Sequence, residues 1–372
     1  MRRLGIDARK LPDYGIGSYL QGLLGEFARC EDDLAAVVFV SPEGRHLLPD
    51  LPETWRVVEV EAHGYTVREQ VALPIAALRA GVGILHVPHY VIPVAYPGRV
   101  IVTIHDIIHV IFPEFLPHPL GFAYARLVIR VAVRRARTVI AVSEATAADL
   151  RRLFRASGER LRVIPNGVHD DFLDPGDPTA DREVLERLGV CPPYLFHVGN
   201  QKPHKNTEGA LKAYQLLINL HGASVPPLLL AGAFTEDGPL AARARTMGLG
   251  SAVRCLGHVE RRDLAALYRS ATIFLYPTLY EGFGLPVLEA MACGVPVVAG
   301  DVPALREVAG DEVVRVNPRD VEAVAGAVWR LIERPQLRTA MAQRGRDCAR
   351  RYPWRRAAQA TLAVYRAVQQ EA

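Results

Sequence analysis

The feature that most constrains the fold is a repeated alternation of short apolar runs with helix-length segments. The apolar runs, such as 99–104 (RVIVTI) and 272–276 (TIFLY), show no alternation of apolar and polar residues. Continuous apolar strands separated by helices are typical of a parallel sheet that is covered on both faces. The pattern runs from the N-terminus to about residue 154 and starts again near residue 194. The sequence therefore predicts an α/β protein with two doubly wound domains.

The same pattern gives bounds for the individual elements. In the first half, strands are predicted at 3–7, 35–40, 56–60, 83–87, 99–104 and 138–142, with helices near 17–29, 67–80, 118–136 and 144–154. In the second half, strands are predicted at 194–198, 228–231, 252–256, 272–276 and 295–299. Helices are predicted near 206–220, 238–247 and 261–269, from 285, and near 304–309, 319–333, 335–350 and 354–369. Residues 165–182 are rich in Pro, Gly and Asp, which predicts a linker between the halves.

Length and composition suit a globular protein of two or three domains. The chain has 372 residues, of which 50% are hydrophobic, and its net charge of +4 is too small to indicate a nucleic-acid partner. No apolar run approaches the roughly 18–20 residues that a membrane-spanning helix needs. The N-terminal MRRLGIDARK is interpreted as a strand and not as a signal peptide. The five cysteines are scattered and lack metal-site spacing, so we expect a cytoplasmic protein.

The segment 280–300, YEGFGLPVLEAMACGVPVVAG, has one carboxylate, Glu281, just before a short helix that starts at Leu285 and a second, Glu289, within that helix. A proline in the first turn and a glycine after the last fix the ends of this helix. The amides of residues 283–285 should therefore face outward at the positive end of the helix dipole, which attracts phosphate. The carboxylates of Glu281 and Glu289 can accept hydrogen bonds from sugar hydroxyls. A site with both features indicates a sugar nucleotide. Spacing alone favours the alternative, in which Glu281 is a loop charge and Glu289 only complements the dipole of its own helix.

Lys202 and Lys205 lie three residues apart in the loop HVGNQKPHKN, in a chain that has only four lysines. A compact ammonium group suits a crowded phosphate site better than a planar guanidinium does. Both this loop and the segment around Glu281 follow predicted strands, and the carboxyl ends of parallel strands meet at one edge of a sheet. We therefore expect a diphosphate clamp and hydroxyl acceptors at the same edge.

Two loops of the first half carry weaker signals. His105 and Asp106 directly follow a buried strand, where His105 could bond a substrate hydroxyl or stabilise charge, while His109 is interpreted as a helix or packing residue. A zinc site is disfavoured because an aspartate and not a helical glutamate follows His105. A serine triad lacks support because no Gly-x-Ser-x-Gly occurs. Gly15 and Gly17, in a predicted loop before the first helix, form a weak phosphate-binding signal.

A row of arginines marks the helix predicted near 118–136. Arg126, Arg130 and Arg134 recur every four residues within the apolar segment ARLVIRVAVRRAR, so they lie on one helical face. Such a row is either the solvated face of a surface helix or a contact for an anionic membrane or a lipid-linked acceptor.

Taken together, these motifs resemble the retaining GT-B glycosyltransferases, specifically glycosyltransferase family four (group 1). The resemblance covers nearly the whole chain and rests on YGIGSYL, His105-Asp106, PNGV at 165–168, GNQKPHKN, GHV at 257–259, the two glutamates and the ending RYPWRRAAQATLAVYRAV. It implies two Rossmann-like domains that face each other across a cleft. They are an acceptor-side domain at 1–170, joined by a last helix at 354–372, and a donor-binding domain at 182–353. The stretch 86–117 is most similar to members that transfer mannose from GDP-mannose.

The resemblance also implies roles for individual residues. Glu281 would bind hydroxyls of the donor sugar and support the developing oxocarbenium charge, and His105 would contact the sugar near the reaction centre. Glu289 would hold the ribose. Retention is explained in this family by same-face attack, in which the leaving phosphate oxygen takes the acceptor proton and no protein nucleophile is needed. The remaining donor-binding groups are Lys205 and the amides of Phe283, Gly284 and Leu285 for the diphosphate, helped by the loop of Gly15 and Gly17, and the backbone of His258 and Val259 for the base.

One position departs from the family pattern. Many members have an arginine where this chain has Asn200, and asparagine cannot neutralise a diphosphate. We therefore predict that Lys202 supplies part of the missing charge. The chain also lacks an Asp-x-Asp pair at a strand end, so we expect no metal and no cofactor besides the nucleotide sugar.

The sequence thus predicts a retaining hexosyltransferase, cytoplasmic or peripheral at the inner face of the membrane. Its first-choice donor is GDP-mannose and its second a UDP-hexose, with a glycan, lipid-linked or small-molecule acceptor. A sugar-nucleotide epimerase and a non-catalytic sugar-nucleotide-binding protein are the rival interpretations. A dehydrogenase is disfavoured because no Gly-x-Gly-x-x-Gly with a following acid is present.

Overall fold

The computed structural model describes residues 3–30, 35–61, 69–116 and 118–370. The chain divides into two compact units. Unit 1 comprises Met1–Gly167 together with Tyr352–Ala372, and unit 2 comprises Val168–Arg351. Each unit is built around one parallel sheet, which confirms the predicted α/β class with two doubly wound sheets.

The sheet of unit 1 has seven parallel strands in the order β3-β2-β1-β4-β5-β6-β7. The strand order reverses between β1 and β4, and ligands bind beyond the carboxyl ends of strands at such a switch point. The last strand was not predicted, because its three residues carry an exposed arginine and give too short an apolar run. The strands are β1 (Arg3–Asp7), β2 (Ala36–Val40), β3 (Arg56–Glu59), β4 (Val82–Val87), β5 (Arg99–Ile104), β6 (Thr138–Ala141) and β7 (Leu161–Val163).

Five helices accompany these strands in the described part of 1–167, namely α1 (Tyr14–Arg29), α2 (Glu69–Arg79), α3 (Ile108–Ile111), α4 (Pro119–Arg135) and α5 (Glu144–Phe154). Helix α1 begins earlier than predicted, so Gly15 and Gly17 lie in its first turn and not in a preceding loop. Glycine is a poor helix former, which is why the pattern delayed the helix start. At Gly17 the backbone passes so close to the carbonyl of Leu11 that a side chain would collide with it.

Unit 2 has six parallel strands in the order β10-β9-β8-β11-β12-β13, with its switch point between β8 and β11. The strands are β8 (Leu195–Gly199), β9 (Leu228–Gly232), β10 (Val253–Gly257), β11 (Ile273–Tyr276), β12 (Val297–Gly300) and β13 (Val314–Val316), the last of which was not predicted. The helices are α6 (Asp170–Leu173), α7 (Pro178–Arg187), α8 (Thr207–His221), α9 (Pro239–Thr246), α10 (Arg261–Ser270), α11 (Leu285–Ala292), α12 (Pro303–Ala309), α13 (Val321–Glu333) and α14 (Pro335–Ala349).

The segment 165–182 is not a plain linker, because it contains helix α6 and the start of helix α7. Asp177 caps α7 by accepting a hydrogen bond from the amide of Thr179, and a proline occupies the first turn. Asp181 pairs with Arg269 of α10 at 2.6 Å and thereby fixes α7 to unit 2. The prediction failed because Pro, Gly and Asp mark helix starts as readily as they mark loops.

The last helix, α15 (Trp354–Gln370), belongs to unit 1 and packs on α1. The indole of Trp354 lies against Gly22 of α1 so closely that any side chain at that glycine would collide with it. Among the helices that the structure describes, none combines the length and the apolar character needed to cross a membrane.

Candidate functional site

Two loops of unit 2 meet beyond the carboxyl ends of β8 and β11, the strands that flank its switch point. The carbonyl of His204, in the lysine loop, accepts a hydrogen bond from the amide of Leu279 at 2.7 Å, and Thr278 Oγ1 lies 2.9 Å from the same oxygen. The side chain of Asn206 donates to the carbonyl of Pro277 at 2.9 Å. The expected placement of both loops at one edge of the sheet is therefore confirmed.

Glu281 lies at the centre of a hydrogen-bonded cluster at this edge of the sheet. Its Oε1 accepts hydrogen bonds from Lys205 Nζ at 2.8 Å, Tyr276 Oη at 2.8 Å and Thr278 Oγ1 at 3.0 Å. The side chains of Glu281 and Lys205 are only 9% and 14% exposed, so this ion pair is largely shielded from water. Burial and the Glu281 carboxylate together hold the pKa of Tyr276 well above its ordinary value, which keeps this hydroxyl a donor. Three donors on one oxygen fix the carboxylate in a single orientation.

His197 is a buried residue in the middle of β8, near enough to Lys205 to respond to its charge. One ring nitrogen of His197 lies 2.8 Å from the carbonyl oxygen of Leu275, and the other lies 3.3 Å from Thr207 Oγ1. Burial lowers the pKa of His197 to about 4, and the nearby Lys205 ammonium adds to the effect. The imidazole is therefore neutral at physiological pH and does not compete with Lys205 as a cation.

Lys202 and Asn200 occupy the more open part of the lysine loop. The Lys202 side chain is exposed, and no carboxylate lies within ion-pair distance of it in the described part of the chain. The Asn200 side-chain oxygen accepts a hydrogen bond from the Lys202 amide at 3.1 Å, so this asparagine shapes the loop. Lys205 is thus already paired, whereas the Lys202 ammonium projects into solvent.

Helix α11 begins where the segment 280–300 predicted. Gly284 caps it with a φ of 101°, and a side chain there would also collide with Leu305. The carbonyl of Gly284 accepts hydrogen bonds from the amides of Val287 and Leu288. The first amides of a helix have no acceptor within it, so the start of α11, with Leu285 after the cap, can receive an anion. Phe283, just before the cap, is buried.

Glu289 lies on α11 in a different environment from Glu281. Its Oε2 accepts a hydrogen bond from Tyr268 Oη at 3.3 Å. Burial raises the pKa of Glu289 to about 7, although the Tyr268 bond and the charge of Arg261 lower it. A hydroxyl that donates to this carboxylate stabilises its ionised form, which is the chemistry that a ribose can supply.

His258 and Val259 lie in the loop after β10. The imidazole of His258 is exposed, and its Nε2 lies 3.5 Å from Glu260 Oε1. Val259 is half-buried. The role in base binding that the resemblance implies for the backbone of this loop stays a prediction.

In unit 1, His105 directly follows β5, which lies beside β4 and one strand away from the switch point. Its ring is hydrogen-bonded to the carbonyl of Pro88, which follows β4. Its Nε2 is buried and has no hydrogen-bond partner among the described residues. Burial lowers the pKa of His105 to about 4, so the ring is a neutral hydrogen-bonding group at physiological pH.

A buried chain of polar groups lies beside His105 that sequence reasoning missed. The Tyr19 hydroxyl bonds to Thr103 Oγ1 at 2.9 Å, Thr103 Oγ1 bonds to His86 Nε2 at 2.8 Å, and His86 Nδ1 bonds to the Tyr365 hydroxyl at 2.6 Å. The Tyr19 ring meets the His105 ring edge-on, with centroids 4.8 Å apart. The only signal in the sequence was a polar residue inside each of two apolar strands.

The other predicted site residues are dispersed. Gly15 is exposed with open space around its Cα, whereas Gly17 is buried. Arg126, Arg130 and Arg134 are exposed on α4. No group of three His, Cys, Asp or Glu side chains suited to a metal ion occurs within the described ranges.

Comparisons with known proteins place the chain in a family. The family described as "Glycosyl transferases group 1" matches residues 182–347, and "Glycosyltransferase Family 4" matches residues 15–172. The chain is 32% identical to the O-antigen chain mannosyltransferase B of Escherichia coli over 76% of this chain and 74% of the relative. It is 34% identical to a D-inositol 3-phosphate glycosyltransferase of Xylanimonas cellulosilytica over 68% of this chain but 61% of that relative's length.

Solved structures share the fold over the whole chain. Sucrose-phosphate synthase from Thermosynechococcus elongatus is similar with a TM-score of 0.82 and 20% identity, covering 100% of both chains. HepE of Anabaena, in complex with UDP-glucose, is similar with a TM-score of 0.78 and 18% identity, covering 99% of this chain and 100% of that one.

Proposed function

Because the chain belongs to the group 1 glycosyltransferases, we propose that it transfers mannose from GDP-mannose, with retention, to a hydroxyl of a glycan, lipid-linked or small-molecule acceptor. The family membership confirms the resemblance that the sequence motifs gave, together with the GT-B fold and the class of enzyme. The donor, the stereochemistry and the acceptor are the proposal.

The observation that carries the proposal is the cluster of Glu281 and Lys205 beside the start of α11. It combines a cation, helix-start amides and an oriented carboxylate at one switch point. The cation and the helix-start amides can bind a diphosphate. The carboxylate can accept a hydrogen bond from a sugar hydroxyl or stabilise an oxocarbenium charge. The Lys205 ammonium has three donors, so it can bond Glu281, Tyr276 and one phosphate oxygen together.

In the proposed reaction the bond between the sugar C1 and the phosphate oxygen breaks, and C1 forms a bond to the acceptor oxygen on the same face. The departing phosphate oxygen takes the acceptor proton. Lys205, Lys202 and the amides at the start of α11 stabilise the charge that develops on the diphosphate. Glu281 holds the sugar hydroxyls, Glu289 holds the ribose, and the neutral His105 offers Nε2 to the sugar.

Mannose is favoured by the named activity of the Escherichia coli relative, which is a mannosyltransferase. A UDP-hexose is the second candidate, because the structurally similar HepE is a complex with UDP-glucose. Thermal-shift measurements with GDP-mannose, GDP-glucose, UDP-glucose and UDP-galactose test the choice. A donor at 100 times its dissociation constant stabilises a protein by about 2.7 kcal/mol, so GDP-mannose should give the largest shift. A larger shift with the UDP-sugars would replace the donor assignment.

Incubation with labelled donor and a panel of glycan and lipid-linked acceptors tests the activity itself. Transfer of label to an acceptor with an α-linkage supports the proposal, since the donor sugar is α-linked. Isomerised donor without acceptor would indicate an epimerase, and binding without turnover would indicate a non-catalytic protein. Turnover that EDTA abolishes and Mg²⁺ restores would contradict the metal-independent mechanism.

A further inference from the structure

Large apolar side chains are exposed on one part of unit 1. The structure describes nine such residues, and seven of them come from α2, α4 and the loop after β4. Val71, Ile75 and Leu78 recur at the i, i+4, i+7 spacing on α2, and Leu120, Tyr124 and Leu127 repeat that spacing on α4. Val94 is the seventh. Each helix therefore presents a continuous apolar stripe to solvent.

The two helices lie side by side on the same face of the sheet. Their buried residues, including Ala77 of α2 and Ile129 of α4, join one core cluster. That cluster takes alternate residues of several strands, such as Val100 and Val102 of β5, so it occupies a single face. Helix α2 packs on β4 and helix α4 packs on β5, and these strands are neighbours in the sheet. The two apolar stripes consequently form one surface, which we call the α2–α4 face.

The α2–α4 face is strongly basic. Helix α4 contains four arginines and no acidic residue. Arg126, Arg130 and Arg134 are exposed, and no carboxylate pairs with any of them in the described part of the chain. Arg130 and Arg134 follow Leu127 by three and seven residues, so on a helix they border its apolar stripe.

Further positive charge continues from the end of α4. The guanidinium of Arg135 donates to the carbonyls of Tyr96 and Gly98, and that of Arg160 donates to the carbonyl of Arg134 at the end of α4. Arg99 and Arg137 line the same shallow groove, and no acidic residue lines it. Bonds to neutral carbonyls leave the charges of the Arg135 and Arg160 guanidinium groups uncompensated, so the basic surface extends beyond the arginine row.

We propose that the α2–α4 face docks on an anionic lipid bilayer. Exposed aliphatic and tyrosine side chains bordered by arginines match the apolar and the negatively charged layers of such a surface. A second copy of the chain fits poorly, because two identical basic faces repel each other. A soluble anion would bind the arginines but would leave both apolar stripes exposed to solvent. This proposal stands apart from the choice of sugar donor, because none of its residues belongs to the proposed donor site.

Sedimentation of the full-length protein with large vesicles tests the proposal. Most of the protein should sediment with vesicles of phosphatidylcholine that contain 30% phosphatidylglycerol. A far smaller fraction should sediment with vesicles of pure phosphatidylcholine. The variant R126Q/R130Q/R134Q should bind roughly 100-fold more weakly, because each arginine near an anionic surface contributes about a fivefold factor. Leu127→Ser should weaken binding by about tenfold through loss of apolar burial.

Matched controls separate these effects from changes in net charge or folding. The variant R182Q/R330Q/R355Q removes the same charge from exposed positions elsewhere, and Leu220→Ser removes a leucine that is 65% exposed on α8. Both controls should bind vesicles as the wild type does, and all variants should keep the wild-type melting temperature. Equal binding of the R126Q/R130Q/R134Q variant and the wild type would overturn the proposal, as would equal binding to neutral vesicles. A dimer in solution that Leu127→Ser dissociates would assign the face to a second copy instead.

Discussion

At the scale of single residues, the two glutamates of the 280–300 segment have opposite electrostatic environments. Glu281 is paired with an ammonium and two hydroxyls. Glu289 has one tyrosine bond, and its pKa is raised to about 7 by burial. The Glu281 carboxylate is therefore already paired with a cation, whereas the Glu289 carboxylate becomes fully ionised when a further hydrogen-bond donor binds it. Their spacing of eight residues gave no indication of this difference, because it depends on Tyr276, Thr278 and Tyr268.

Replacement of Glu281 by glutamine should reduce turnover without unfolding the protein. The amide keeps the shape of the side chain but loses the charge that we propose acts on the donor sugar, so we expect kcat to fall by about 100-fold or more. The lost charge-assisted bonds should cost about 1.5–3 kcal/mol of unfolding free energy. Steady-state kinetics and urea unfolding measure the two effects. Glu208→Gln, at an exposed position on α8, is the control and should match the wild type. Wild-type turnover in Glu281→Gln would refute the role of Glu281.

Lys202 and Lys205 should both bind the donor diphosphate, but only Lys205 should also affect folding. Lys202→Ala should raise the Kd for the donor about tenfold, because one charge-assisted hydrogen bond contributes roughly 1.5–3 kcal/mol. Lys205→Ala should raise it further and lower the stability, because it leaves the Glu281 charge without its cation. Calorimetric titration measures the affinities, with exposed Lys212→Ala as the control. If Lys202→Ala binds donor normally while Lys205→Ala does not, Lys202 does not compensate for Asn200.

At the scale of elements, the start of α11 depends on one glycine. A residue other than glycine at a left-handed φ costs about 1–2 kcal/mol, and Gly284→Ala adds a collision with Leu305. We expect this variant to lose at least about 2 kcal/mol of unfolding free energy and to bind donor more weakly. Gly326→Ala, inside α13 with open space around it, should gain about 0.5–1 kcal/mol. Urea unfolding of both variants checks the contrast, and equal stabilities would contradict it.

The sequence predicted elements with a long apolar pattern and missed those without one. Strands β5 and β11 are buried runs, and their bounds were predicted to within one residue. Strands β7 and β13 have three residues each, which is too short for a periodic signal. The α6–α7 segment was mistaken for a linker because its helices are held by the ion pairs of Asp171 and Asp181, which depend on tertiary contacts.

The candidate site was predictable only in part, for a similar reason. Glu281 and Lys205 were found because each lies in a loop with a recognisable pattern. Their partner Tyr276 reads as an ordinary strand residue, and so does Thr103 beside His86. A polar group at the end of a strand is indistinguishable in sequence from a packing residue. Only the folded sheet brings residues distant in the chain together.

At the scale of the whole molecule, buried titratable groups make the two units differ in their response to acid. In unit 1, burial lowers the pKa of His86 to about 3 and that of His105 to about 4. A histidine with a lowered pKa binds its proton more readily when unfolded, so stability falls as pH drops from about 6.5 to 4. In unit 2, the lowered pKa of His197 likewise reduces stability as pH falls. The raised pKa of Glu289 has the opposite effect, because it increases the stability of unit 2 as pH falls from 7 to 4.5. These two effects oppose each other.

We therefore expect unit 1 to lose stability first between pH 6.5 and 4.5. Two histidines should give a slope approaching about 2.7 kcal/mol per pH unit, whereas unit 2 should stay nearly constant. Hydrogen exchange of peptides from each unit, corrected for the intrinsic exchange rate, measures this. Glu289→Gln removes the opposing group and should make unit 2 acid-sensitive as well. Exposed His46→Gln is the control. Equal acid sensitivity of the two units in the wild type would contradict the prediction.

The return of α15 to unit 1 affects how the protein is made. Unit 2 is one continuous stretch, whereas unit 1 needs residues from both ends of the chain. A ribosome therefore delivers everything that unit 2 requires before it delivers the Trp354 indole that covers Gly22 or the Tyr365 hydroxyl that bonds His86. Until then the face of α1 that receives α15 is uncovered in the nascent chain, at a synthesis rate of about 5–20 residues per second. The half of the protein that is synthesised first is thus the last to be completed.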